Sequence, residues 1–326
     1  MTTSYIIIDG NSLAYASQAI VERDPKKRLI HPNGSEVTAI FGVIRAIKAS
    51  ISMLCTHRTP ERIIVTWDSR AQWRRDIYPA YKGNRDSEER NETVEALKAQ
   101  RSDIETILTP LGIDQLRIHG SEADDIAAML TDLALRKGHD VVLVSNDKDW
   151  AQLVGEHVNF HSPLRSLKGR DEYTLDSFHE LTGFNISPTQ FVDFKALTGD
   201  SSDNIPGVGG IGEKGAASLL EKWGSVENFF SDVRTSTLPK PLACLYDNTV
   251  ATQTAKRGES IGSRDIYHRN LKLVDLQFGK RNVDRSKAEL IKGKYDLDKF
   301  DSLCRMHNFT SVVAMIGEWR NIFYRG

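Results

Sequence analysis

No apolar run in this chain approaches the roughly 20 residues a membrane-spanning helix needs. The N-terminus lacks a basic segment followed by an apolar one, so neither a span nor a secretory signal is expected. Cysteine is scarce: Cys55, Cys244 and Cys304 are scattered and contain no CxxC. That excludes a disulfide framework and a thiolate zinc site, and reads as reduced thiols of a cytosolic protein. The histidines form no ligand cluster, and no Ser–His or Cys–His nucleophile pair is needed for the chemistry below. Repeats and low-complexity tracts are missing as well. With 326 residues of ordinary globular composition, one large domain or two is expected. Net charge is also nearly absent, at −1, which alone argues against a polyanionic partner.

What is present reverses that impression. Three short, continuously apolar, β-branched runs each end on an aspartate. Tyr5–Ile8 runs into Asp9, Arg62–Trp67 into Asp68, and Asp140–Ser145 into Asn146 and Asp147. Such runs are expected of strands buried on both faces of a parallel sheet, whose C-terminal ends share one edge. Ligands of open α/β sheets bind at that edge. Three distant residues should therefore become neighbouring carboxylates, and a divalent cation is the simplest compensation for their repulsion. Asp147 and Asp149 are also two apart, as paired ligands of a hard cation can be.

Between the strands, Val37–Leu54 carries apolar residues at helical spacing, an amphipathic helix for the sheet face. Residues 21–36 read as loop. Segment 69–85 holds Arg70, Arg74, Arg75, Lys82 and Arg85 interleaved with Trp73, Tyr78 and Tyr81. Basic residues alternating with aromatics suit a phosphate backbone and unstacked bases; a solvated loop is the bland alternative. Residues 86–109 read as a charged helix closed by Pro110-Leu111-Gly112. Ser121 then caps a helix whose first turn holds Glu122, Asp124 and Asp125, with Asp124 at the capping-box position. Three acids in four residues exceed what capping and the helix dipole ask for. Residues 157–174 read as short antiparallel strands or loop.

From Ser187-Pro188, an N-cap followed by proline at the first position, a helix runs to Leu197 or Thr198 and stops at Gly199. Asp200 and Asp203 follow, then Gly207, Gly209, Gly210 and Gly212, ahead of a helix over 213–223. Freed backbone N–H groups before a helix N-terminus can hold a phosphate; a tight helical hairpin is the alternative. Residues 231–262 read as looser helix, 280–294 as a second basic patch, and 297–309 and 312–323 as closing helices. Setting aside Asp9, Asp68, Glu122, Asp124, Asp125, Asp147, Asp149, Asp200 and Asp203 removes nine negative charges and leaves the remainder at +8, which suits a polyanion.

These motifs in this order, with Tyr78-Pro79-Ala80-Tyr81-Lys82-Gly83-Asn84-Arg85 and Gly199-Asp200-Ser201-Ser202-Asp203-Asn204-Ile205-Pro206-Gly207-Val208 among them, resemble the 5′-nuclease superfamily over about residues 1–275. Its members include bacterial DNA polymerase 5′-nuclease domains and phage flap endonucleases. The resemblance implies an α/β, PIN-like catalytic domain over 1–185 with a mainly parallel sheet, flanking helices and a helical arch at about 70–110. It implies a helix–three-turn–helix duplex-binding domain over 186–275, followed by a basic and helical tail over 276–326. It also implies cleavage of 5′ flaps and 5′ ends of DNA, in replication or repair, through two or more Mg2+ ions, with Mn2+ as a substitute. By position, all nine acids would hold or support metal, and Lys82 and Arg85 would act on the scissile phosphate. Tyr81 would stack on an unpaired base. Arg70, Arg74, Lys195, Gly207, Gly209, Gly210, Gly212 and Lys214 would meet DNA, with a K+ ion among the hairpin carbonyls. Branched or 5′-ended duplex DNA and RNA–DNA primers are the expected partners of a monomer, in bacterial or phage-infected cytosol. With no polymerase following, the chain resembles a free-standing nuclease. Two other readings are a junction-binding protein with an inert site and an RNase of the PIN class.

Overall fold

The computed structural model describes residues 3–56, 58–85, 88–163, 172–232 and 238–324. Its core is a six-stranded sheet in the order β5-β4-β1-β2-β3-β8. These strands are β1 (Thr3–Asp9), β2 (Thr59–Trp67), β3 (Asp114–Ile118), β4 (Asp140–Val144), β5 (Val158–His161) and β8 (Ala288–Ile291). All pairings are parallel except β3 with β8. The three apolar runs thus lie side by side in the middle of the sheet, with Asp9 closing β1 and Asp68 following β2. Successive side chains of a strand point to opposite faces. Accordingly Ile7 lies in one hydrophobic core and Ile6 and Ile8 in the other.

On one face lie α1 (Gly10–Gln18), α2 (Thr38–Leu54) and α4 (Glu88–Leu108), with α3 (Gln72–Ile77) preceding α4 in the chain. Helix α2 lines its buried side with Ile40, Val43, Ile44, Ile47, Ile51 and Leu54, the spacing expected. The other face carries α5 (Ala123–Arg136), and its core is continuous with a helical region. That region contains α6 (Pro188–Thr198), a two-stranded hairpin of β6 (Gly199–Asp200) and β7 (Ile205–Pro206), α7 (Glu213–Trp223) and α8 (Ser263–Val274). Ser187 caps α6 in a reciprocal box with Gln190. Gly199 at φ 77° starts the hairpin where an added Cβ would meet the Gly207 N and Ile205 O at 2.4 Å.

Several local expectations give way. Residues 280–294 are more than a basic patch, because Ala288–Ile291 forms the antiparallel edge strand β8. Strand β3 carries no continuous apolar run, because Asp114 and Gln115 break its pattern. Strand β5 runs parallel to β4, and the antiparallel contacts it makes are the isolated Gly155–Val158 and Phe160–Tyr173 bridges; residues 164–171 of that stretch lie outside the described residues. Segment 21–36 is partly helical at Ile20–Arg23 and Pro25–Lys27. The tail folds back on the sheet: Phe300 of α9 (Leu297–Met306) and Trp319 and Phe323 of α10 (Ile316–Phe323) are buried with α2 and α4.

Candidate active site

Each strand-end aspartate is fixed by the turn it starts. Asp9 is itself the N-cap of α1, accepting from the Ser12 N–H at 2.9 Å. Asp68 accepts from the Ala123 N–H at 2.7 Å, which ties β2 to the start of α5. Asp147 caps the 3-10 turn Lys148–Leu153 through the Asp149 N–H at 2.9 Å. Helix α5 is capped by Glu122 rather than Ser121, and the acid reaching back to the cap N–H is Asp125, at 3.4 Å. Asp124 is thereby free of capping and accepts from Trp150 Nε1 at 2.6 Å.

The carboxylates form one electrostatic cluster. Burial raises Asp9 to about 7, with Asp68 adding to the shift. Enclosure by the surrounding protein raises Asp147 to about 7 as well, although its side chain is open at the mouth, and Asp149 adds to it. Asp124 is pushed well above the carboxylate range by burial and by Asp147, Asp9, Asp68 and Glu122. Burial also raises Asp68 and Asp149, against the opposing pull of Lys82 and Lys195 respectively.

Asp200 and Asp203 arrive from the hairpin between β6 and β7. The Lys82 N–H donates to the Asp203 carbonyl at 2.8 Å, Asn84 Nδ2 to the Ser201 carbonyl at 2.7 Å, and Asn204 Nδ2 to the Ala80 carbonyl at 2.7 Å. The site is therefore a seam between segment 80–85, the sheet edge and the hairpin. Lys82 stands in it at φ 56°, a left-handed backbone that non-glycine residues rarely adopt.

Four cations stand among the acids. Lys82 Nζ lies 2.9 Å from Glu122 and 3.8 Å from Asp203. Arg85 pairs with Asp203. Lys195 Nζ is 2.8 Å from both Asp149 and Asp200. Arg74 forks onto Asp125 with two bonds of 2.7 Å and lies 3.5 Å from Glu122. Burial would raise Glu122, but Lys82 and Arg74 outweigh it and hold the group below its ordinary value. For Asp200, Lys195 and Ser202 likewise outweigh burial and bring it to about 2. Nine carboxylates against four cations leave a formal excess of five negative charges. Among the described residues, Asp9, Asp68, Asp124 and Asp147 have no basic partner within 4.0 Å.

Donor chemistry and surplus charge fit hard divalent cations, which take oxygen ligands. Geometry is less prepared: among the described residues, no three acidic, histidine or cysteine side chains are placed to clasp an ion as they stand. The reason is visible in the pairs above, since ammonium and guanidinium groups already hold Glu122, Asp149, Asp200 and Asp203. Asp125 is set apart, fully buried and occupied by Arg74, so it orients the cluster rather than facing it.

Three expectations for segment 69–85 are corrected. Arg74 is 1% exposed and cannot face DNA as placed. Tyr81 is 3% exposed and its hydroxyl lies 2.9 Å from both the Glu122 and the Asp203 carboxylate, its single proton shared between them, so it braces the acids rather than offering a ring to a base. Trp73 packs edge-on against Phe278 and Tyr78 lies under Arg269, so the aromatics of this stretch serve packing. Arg70 is exposed. In the glycine run, Gly207 and Gly209 are required by close approach: a Cβ would meet the Thr198 carbonyl at 2.3 Å and Thr254 Oγ1 at 2.5 Å. Gly210, Gly212 and Lys214 are exposed. Among the described residues the Gly210 and Gly212 N–H groups have no acceptor, so free donors do precede α7. Ser145 is a site residue that sequence reasoning passed over. Fully buried, its hydroxyl donates to Asp9 at 2.8 Å and accepts from the Asp147 N–H at 3.0 Å, locking two acids together. A lone serine ending an apolar strand just before Asn146-Asp147 was the available signal.

Comparison with known proteins shows the family. A family model described as "5'-3' exonuclease, N-terminal resolvase-like domain" matches residues 4–183, and one described as "5'-3' exonuclease, C-terminal SAM fold" matches residues 186–259. DNA polymerase I of Streptococcus pneumoniae is 31% identical over 272 residues, covering 81% of this chain and 30% of the polymerase. That of Treponema pallidum is 37% identical over 225 residues, covering 69% of this chain and 21% of the polymerase. The chain therefore spans less than a third of these relatives. Among solved structures, T5 5′-exonuclease with bound zinc is 25% identical with a TM-score of 0.63, over 94% of this chain and 98% of that one. Flap endonuclease-1 of Methanococcus jannaschii shares the fold at 16% identity, with a TM-score of 0.55 over 98% of this chain and 92% of that one.

Proposed function

The chain belongs to the 5′-3′ exonuclease family, and from that membership we propose that it hydrolyses DNA phosphodiesters at 5′ flaps and 5′ ends, in replication or repair. The observation that carries the reading is the surplus of hard carboxylates at the C-terminal edge of a parallel sheet, faced across a seam by Lys82 and Arg85. Asp9, Asp68, Asp124 and Asp147 would be the principal holders of divalent cations, with Glu122, Asp149, Asp200 and Asp203 joining as their basic partners turn away. Mg2+ suits this donor set, and Mn2+ would replace it. Such ions supply Lewis-acid activation of water and neutralise charge on the leaving oxygen.

The chain's own side chains supply the rest. Lys82 and Arg85 are anchored on acids in the absence of substrate; a phosphate at the seam gives them a competing anion and would draw them onto its oxygens as charge develops there. The exposed N–H groups of Gly210 and Gly212, with Lys214 at the start of α7, would hold the duplex backbone without reading bases. Arg70 adds an exposed positive charge beside the site.

Lys82→Ala should lower turnover more than affinity for a flap substrate, by roughly a hundredfold, as when one preorganised donor is removed from developing charge. Single-turnover rates and equilibrium binding measured in parallel check this; an effect confined to affinity makes Lys82 a phosphate clamp only. Stability carries a second signature. Asp9 and Asp147 have folded pKa values near 7, above the 3.8 of the free group. The stability they contribute is therefore fully present below about pH 4 and lost as pH rises through 7. Metal-free protein should melt at a lower temperature at pH 8 than at pH 5.5, and millimolar Mg2+ should restore the loss at pH 8. Thermal scans at the two pH values with and without Mg2+ read this directly.

The function itself is tested by polarity. DNA with a 5′ flap should be cut near the junction, while a 3′ flap on the same duplex should stay uncut, any loss there starting from the duplex 5′ ends. Equal cleavage of both, or preferential cleavage of single-stranded RNA, would replace this reading with that of a less selective PIN-type nuclease.

A further inference from the structure

We infer that Lys195 is the resident counter-ion of the position between Asp149 and Asp200, and that a divalent cation enters this position only by displacing the lysine ammonium. The inference rests on the metal-centre reading above. Lys195 sits in the last turn of α6, five residues before Asp200, while Asp149 comes from the turn after β4. One Nζ atom lies 2.8 Å from each carboxylate and so joins the two sides of the seam. The contact is sheltered: the three side chains are 17%, 16% and 11% exposed. The open Lys27–Asp24 pair, at 4.0 Å and 55% and 42% exposed, shows by contrast what a screened surface contact looks like here.

The geometry around the ammonium is that of a cation site. Ser202 fixes the other oxygen of Asp200 with two hydrogen bonds, 2.8 Å from its N–H and 2.7 Å from its hydroxyl, which turns Oδ2 toward Lys195. Among the described residues no other basic side chain lies within 4.0 Å of Asp149 or Asp200. Lysine is suited to this exchange, being a compact point charge on a flexible stem, whereas arginine's rigid fork spreads the charge. A divalent ion and an ammonium cannot share two carboxylate oxygens without strong like-charge repulsion. Metal entry therefore releases Lys195, and the release weakens ion binding at this position relative to a site without a resident cation.

The test is calorimetric titration of Mn2+ alone into the full-length protein, without DNA, for the wild type, Lys195→Met, Lys195→Gln and Lys195→Arg. The weaker Mn2+ affinity should tighten by about tenfold or more in Lys195→Met and Lys195→Gln, the scale of one like charge removed at close range, and should not tighten in Lys195→Arg. A strut role would move the melting temperature but would not tighten the metal. Unchanged or weakened Mn2+ affinity in whichever neutral variant folds overturns the inference while leaving the metal centre standing. Failure of the wild type to bind Mn2+ at all overturns both.

Discussion

Asp147→Asn will reduce Mg2+-dependent flap cleavage by at least about a thousandfold, the loss expected when several kcal/mol of charge stabilisation is removed. Binding of the flap will survive or tighten. Asp147 is chosen because it has no basic partner among the described residues and lies at the open mouth of the crevice. The substitution removes a charge that the neighbouring acids already disfavour. An asparagine carbonyl still accepts from the Asp149 N–H, so the turn it caps persists. Stability should therefore hold or rise, and the missing negative charge reduces repulsion of a polyanion. Cleavage rates with saturating enzyme, beside binding titrations in Ca2+, separate the two effects. Unchanged cleavage would remove Asp147 from the metal set.

Arg74→Met will lower stability by about 3–5 kcal/mol, the range for breaking a buried ion pair from one side. The melting temperature should fall by roughly 4–7 °C. Arg74 is almost wholly enclosed, forks onto the fully buried Asp125, and donates through Nε to the Leu273 carbonyl of α8 at 3.3 Å. It thus fastens α3 to both α5 and α8 behind the acid cluster. Gly279 completes the packing, since a Cβ there would meet an Asp125 oxygen at 2.0 Å. Arg74→Lys should rescue little, because an ammonium cannot reproduce the two-pronged contact. The double variant Arg74→Met/Asp125→Leu should recover part of the loss by removing the orphaned charge. A stable Arg74→Met with weakened DNA binding would instead return Arg74 to the phosphate-contacting role its sequence neighbourhood suggests.

These two residues mark what the amino-acid string discloses and what it hides. Asp147 is legible because continuous β-branched runs identify doubly buried parallel strands, and such strands must deliver their ends to one edge. The same logic locates Asp9 and Asp68, and the cap-and-proline signal at Ser187-Pro188 locates α6 and so the hairpin that brings Asp200 and Asp203. Arg74 is not legible, because its partner is 51 residues away and nothing in segment 69–85 distinguishes a buried guanidinium from an exposed one. Tyr81 is misread for the same reason: an aromatic among arginines suggests stacking until Glu122 and Asp203 arrive from other elements to receive its hydroxyl. Strand β8 escapes notice because an exposed edge strand needs no apolar alternation, and lysines suit such an edge. The compensation of the acids by Lys82, Arg85 and Lys195 was hidden too, since charge neutrality inside a cluster depends on which side chains meet in space.

What stands to be tested is whether the seam of carboxylates and lysines is a divalent-metal 5′-nuclease site. A 5′-labelled flap incubated with the protein in EDTA, and then in excess Mg2+, tests it most directly. No product is expected in EDTA, and short labelled products ending near the flap junction are expected once Mg2+ is supplied. Equal cleavage in EDTA, or no cleavage under either condition by folded protein that binds the flap, would contradict it.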